Sequence, residues 1–128
     1  MIHREKIKAF AQNTLGCDCP EEVFQYIESK SDIQMQAVLV KHKINIGNRL
    51  LIYIVEIHNS DTLKNIVTFL VDTGKKERDS LCFNRFRLVL ATDAVDEITQ
   101  VAEDFFKDIN RDEKVHLHIV HRNSILNF

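Results

Sequence analysis

A chain of 128 residues that is 45% hydrophobic and 28% charged, with a formal net charge of −2, has the make-up of an ordinary globular protein. One Pro, three Gly and no low-complexity run exclude a disordered or linker-divided chain, so residues 1–128 are expected to form a single domain. The slight acidity gives no general attraction to nucleic acid or anionic lipid.

Met1-Ile2-His3-Arg4-Glu5-Lys6 opens without the apolar core of a signal peptide, and the longest apolar run, Leu50 to Val55, is too short to span a bilayer. A soluble, cytoplasmic protein is expected, with no membrane partner. Its odd number of cysteines then points to reduced thiols or a metal site, not a disulfide framework.

Residues 3–15 predict an amphipathic helix with Ile7, Phe10, Ala11 and Leu15 on one face, and Gly16 closing it. Pro20 suits the first turn of a second helix over 20–29, which makes Cys19 its N-cap and Glu21 and Glu22 its acidic first turn. The pattern then turns to strand over 34–44, a turn at Asn45-Ile46-Gly47-Asn48, and a strand over 50–57, together an antiparallel hairpin. Ser60 or Asp61 is expected to cap a third helix, ended by Gly74 and followed by a charged loop over 75–81. A strand over 83–91, a helix over 94–109 capped by Asp93, and a strand over 115–121 complete the chain. The expected fold is α/β in the order α-α-β-β-α-β-α-β. It has one mixed four-stranded sheet, the antiparallel hairpin followed by a parallel β-α-β-α-β unit, with helices on its faces.

The chemistry concentrates at Cys17-Asp18-Cys19-Pro20. A thiol at a helix N-terminus faces unpaired amides that favour thiolate, whereas Asp18, Glu21 and Glu22 oppose a further negative charge. A disulfide between Cys17 and Cys19 would close a tight, strained ring. If the three later strands are parallel, Cys82 and His116 begin at the same sheet edge as Cys19, with His42 nearby. Cys17, Cys19, Cys82 and His116 therefore form a candidate metal set, three thiolates and an imidazole, of the kind that zinc or an iron–sulfur cluster accepts. His116 and His118 alternate on one face of the last strand, a pattern that a polar edge-strand face also explains.

Leu15-Gly16-Cys17-Asp18-Cys19-Pro20-Glu21-Glu22-Val23-Phe24 resembles the opening signature of a small family of uncharacterised prokaryotic proteins. That resemblance carries no activity; it implies only that the thiol pair is a family feature.

Two other regions bear on function. The carboxyl ends of the strands carry Glu56, His58, Asn59, Ser60, Asp61, Thr92, Asp93, His121, Arg122 and Asn123, groups able to bind a polar ligand or to perform acid–base work. Lys75, Lys76, Arg78, Arg85 and Arg87, with Phe83 and Phe86 interleaved, form the most basic stretch. Glu77 and Asp79 interrupt it, and strand alternation accounts for Arg85 and Arg87 as solvent-facing, which argues against nucleic acid. The leading expectation is a thiol-dependent binding module, acting by metal ligation or redox relay. The alternatives are a non-catalytic interaction or assembly domain, with a protein partner or a second copy, and a small-molecule enzyme using the carboxyl edge.

Overall fold

Ile7, Phe10, Ala11 and Leu15 recur at helical spacing, and in the computed structural model they are buried on helix α1 (Arg4–Ala9) and the π-helical turn that continues it (Phe10–Thr14). The structure describes residues 4–16, 21–36, 38–110 and 112–125. Gly16 follows α1 and its turn at φ +69, the left-handed conformation expected of it.

No α-helix covers 21–29, the described part of the expected 20–29 helix. A 3-10 turn spans Glu21–Gln25, and strand β1 runs over Ile27–Met35. Acidic residues after a proline resemble a helix start, but the apolar positions Ile27, Ile33 and Met35 lie at even spacing, the period of a strand. The strand expected over 34–44 straddles a turn, and β2 occupies Val38–Ile46. Met35-Gln36-Ala37-Val38 holds none of the usual turn residues, and Gln36 itself takes φ +53. The second turn is the expected one: Gly47 adopts φ +64, and its amide donates to Tyr26 O at 2.7 Å.

The remaining elements are β3 (Leu50–Glu56), α2 (Leu63–Ser80), β4 (Arg85–Thr92), α3 (Val95–Ile109) and β5 (Val115–His121), followed by a 3-10 turn over Arg122–Ile125. The sheet has five strands, not four, in the order β1-β2-β3-β4-β5. Its first three strands are antiparallel, and β3, β4 and β5 are parallel, as expected for that half. Helix order is corrected accordingly, to α-β-β-β-α-β-α-β.

Alternation along the strands builds two cores. Leu51, Tyr53, Val55, Phe86, Leu88 and Leu90 face α2 and α3, where Leu63, Val67, Leu70, Ile98 and Ala102 meet them. Leu50, Ile52, Ile54, Val89 and Ala91 face the other way, under α1, the 3-10 turns and Ile125. Gly74 does not end α2. A Cβ built on it would overlap the Phe86 ring, so this glycine allows helix and sheet to approach closely. Residues 75–80, expected as loop, continue the helix. The expected cap side chains are not used either: Thr62 and Ala94 hold the N-cap positions of α2 and α3 with no side-chain cap bond. Among the described residues no helix is long and apolar enough to cross a membrane.

Candidate functional site

β4 and β5 run parallel with Arg87 opposite His116 and Val89 opposite His118. Alternate residues share a face, so Arg85 and Arg87 on β4 and His116 and His118 on β5 all lie on the side away from α2 and α3. There they interlock. Arg85 Nη1 donates to His116 Nε2 at 2.9 Å, and Arg87 Nη1 donates to His118 Nε2 at 2.8 Å. Arg87 Nη1 also donates to Leu15 O at 3.1 Å, which ties the ladder to the end of the first helical segment.

A guanidinium can only donate, so each imidazole accepts at Nε2 and carries its proton on Nδ1. Burial and the charges of Arg87 and Arg85 hold His116 below the ordinary histidine range. Burial, Arg87 and His116 push His118 down to about 4. Both rings are thus neutral at neutral pH, and the two guanidiniums bring the net charge. Burial and Arg85 also lower the affinity of Arg87 for its proton. Among the described residues no carboxylate forms an ion pair with Arg85 or Arg87. Arg87 Nε is buried without a hydrogen-bond partner among the described residues. Asp112 acts on His116 in the opposite sense, more weakly than the arginines, so the cluster remains rich in donors and is complementary to an anion.

Of the four residues expected to hold a metal, Cys17 and Cys19 lie outside the described residues, and so does any distance from them to Cys82. The helix that was to activate Cys19 is replaced by a five-residue 3-10 turn, too short for a helix dipole to act through. Cys82 closes α2. It takes φ +61, its amide donates to Asp79 O at 3.2 Å and the Phe83 amide donates to Arg78 O at 2.9 Å, the double bond of a left-handed helix terminus. His116 lies on the ladder, with its Nε2 lone pair already accepting from Arg85. Among the described residues no three His, Cys, Asp or Glu side chains come together as a metal group. His42, expected near the amino ends of the parallel strands, pairs instead with Ile54, towards the other end of β3.

At the carboxyl edge the polar groups serve turns and one another. Asn59 Oδ1 accepts from the Asp61 amide at 3.0 Å, Thr92 Oγ1 accepts from the Ala94 amide at 3.1 Å, and Asp93 lies 3.4 Å from Arg122 and 3.8 Å from His121. Arg85 and Arg87, read from the sequence as solvent-facing, are the residues that reading missed. Their signal was the matching of Arg-x-Arg on one strand with His-x-His on its parallel neighbour.

The chain matches no family model, no curated protein and no solved structure.

Proposed function

We propose that this protein binds a small anionic ligand, carboxylate- or phosphate-bearing, through Arg85 and Arg87, with His116 and His118 orienting the guanidiniums. The observation that carries this reading is the pair of arginines held on neutral imidazoles, with, among the described residues, no carboxylate partner and one buried guanidinium nitrogen unpaired. A planar guanidinium binds carboxylate or phosphate in two-pronged fashion, and prior fixing by the imidazole reduces the entropy lost on binding. Titrating inorganic phosphate or acetate into the protein should shift the His116 and His118 ring resonances saturably. Arg87→Gln should weaken the affinity by about tenfold or more. Shifts that are absent, or that persist unchanged when both arginines are replaced by glutamine, would overturn the proposal.

A thiol function is the second reading, favoured by the bond from Arg87 to Leu15 O, two residues before Cys17 in the sequence. Cations near a thiol favour thiolate, and reduced thiols suit a cytoplasmic protein. On this reading Arg87→Gln slows alkylation of Cys17 or Cys19 at neutral pH. Zinc or iron–sulfur ligation by Cys17, Cys19, Cys82 and His116 would take either His116 Nε2 from Arg85 or His116 Nδ1 after loss of its proton. Stoichiometric metal after anaerobic purification, lost on Cys17→Ser/Cys19→Ser, would favour it over redox work.

A further inference from the structure

The opposite face of the sheet holds a separate cleft of about 430 Å³, between the β1–β2 hairpin and the end of α2. The volume lies in the range of small-molecule sites. Three large hydrophobic side chains are exposed among the described residues, and two of them, Tyr26 at 47% and Leu81 at 48%, line this one cleft, with Phe83 beside them. Apolar surface left open at two walls of one polar cavity is what a ligand with an apolar arm would cover.

The strand register sets the charges. Lys30 lies opposite Lys43, and Lys43 opposite Tyr53. Like charges directly across a sheet repel unless an anion is present. Glu77 of α2 answers one of them: Lys43 Nζ and the Tyr53 hydroxyl both donate to its carboxylate. Burial and this carboxylate hold the Tyr53 phenol strongly protonated, so it remains a donor. Lys30 has no ion pair among the described residues, and neither has Glu28, two positions before it on the same face; Tyr26 Oη donates to Glu28 Oε2 at 3.4 Å. An ammonium and a carboxylate without ion-pair partners among the described residues, the carboxylate held by Tyr26, thus line the cleft together with Tyr26 and Leu81.

We infer that this cleft binds a free α-amino acid with an aliphatic or thioether side chain. Its carboxylate meets Lys30, its ammonium meets Glu28, and its side chain lies against Tyr26 and Leu81. Opposite charges close together on a small apolar molecule match this arrangement, whereas a simple acid or amine leaves one protein charge unanswered. The site is independent of the arginine–histidine ladder on the other face, and either can fail without the other.

The protein reports on this cleft directly. It has no Trp and two Tyr, Tyr26 in the cleft wall and Tyr53 buried behind it and bonded to the cleft residue Glu77, so tyrosine emission reports on the cleft and its immediate support. L-leucine and L-methionine should each change tyrosine emission saturably. Isocaproate, which lacks the ammonium, and isoamylamine, which lacks the carboxylate, should bind about tenfold more weakly. In Lys30→Gln the affinity for L-leucine should fall by about tenfold while that for isoamylamine stays unchanged. Leu81→Ser, at an exposed position, should weaken all four ligands with the fold intact by circular dichroism. An emission that does not saturate, analogues binding as tightly as L-leucine, or a Lys30→Gln protein that binds L-leucine normally would each overturn the inference.

Discussion

The two faces of the sheet handle charge in opposite ways. Under α2 and α3 the charges are paired with carboxylates among the described residues: Arg78, only 6% exposed, bonds Asp79 and Asp112 although its Nη1 has no hydrogen-bond partner, and Lys43 bonds Glu77. Arg78 is held above, and Asp112 below, the usual range chiefly by their mutual hydrogen bond. On the opposite face the cover is lighter, a short helix and turns, and over β4 and β5 two arginines rest on neutral histidines. A neutralised charge welds elements together, whereas an unneutralised one is held ready for something else. The difference is one of pairing: the helical face ties its buried arginine to carboxylates, whereas the ladder holds its arginines on uncharged rings.

The largest expected effect lies on the helical face. The Phe86 ring packs edge-on against Tyr53, with centroids 4.8 Å apart, and sits where a Gly74 side chain would be. Phe86→Ala should cost about 3–5 kcal/mol, through lost burial and the cavity left behind. Gly74→Ala alone should cost about 1–3 kcal/mol by overpacking. In the Phe86→Ala background the same substitution should become nearly neutral, because the new methyl enters the vacated space and alanine is the better helix former. Urea unfolding of the four proteins measures this coupling. Additive costs would show that Gly74 and Phe86 do not share one space.

The contrast between faces also explains what could be read in advance. β5 occurs over the expected 115–121, and β3 and α3 lie within a residue of their expected bounds, because their apolar residues follow one clear period. β1 was hidden because it is an edge strand, with polar Glu28, Ser29, Lys30, Ser31 and Asp32 along its middle and little apolar alternation to show. Its hairpin was hidden too, since Gln36 makes the turn without glycine or asparagine nearby. Gly74 misled for the opposite reason: the residue that so often ends helices here serves a contact with β4, a strand distant in sequence. At the ladder, His116 and His118 were correctly placed on one face. Their pairing with Arg85 and Arg87 depends on strand adjacency and register, which no local pattern encodes.

A smaller effect should distinguish the faces by pH. Folded His118 titrates at about 4 and an ordinary histidine at 6.5, so the unfolded chain takes up a proton that the folded ladder refuses. Its contribution is fully present above pH 6.5 and is lost as pH falls through the window down to 4. The loss should be about 2 kcal/mol, partial exposure of the ring screening the rest. His116 and His42, both lowered mainly by burial, act in the same direction. Chemical denaturation at pH 7 and 4.5 should show this fall in the native protein and a shallower one in His118→Gln. An equal fall in both would place the acid sensitivity away from the ladder.

The smallest expected effect concerns the thiol that sequence reasoning assigned to a metal and that α2 uses as its terminus. Cys82 occupies the left-handed position after the helix, where glycine is usual and a side chain is strained. Glycine there should relieve the strain and stabilise the fold, offset in part by the greater freedom it gives the unfolded chain. Cys82→Gly should therefore raise stability by about 0.5–1 kcal/mol in urea unfolding. Nothing in that gain depends on a ligand, so it should persist in chelator-treated protein. A loss of stability that appears only before chelation would instead mean that the Cys82 thiol holds a metal, and that the cysteine remains at a strained position because of its sulfur.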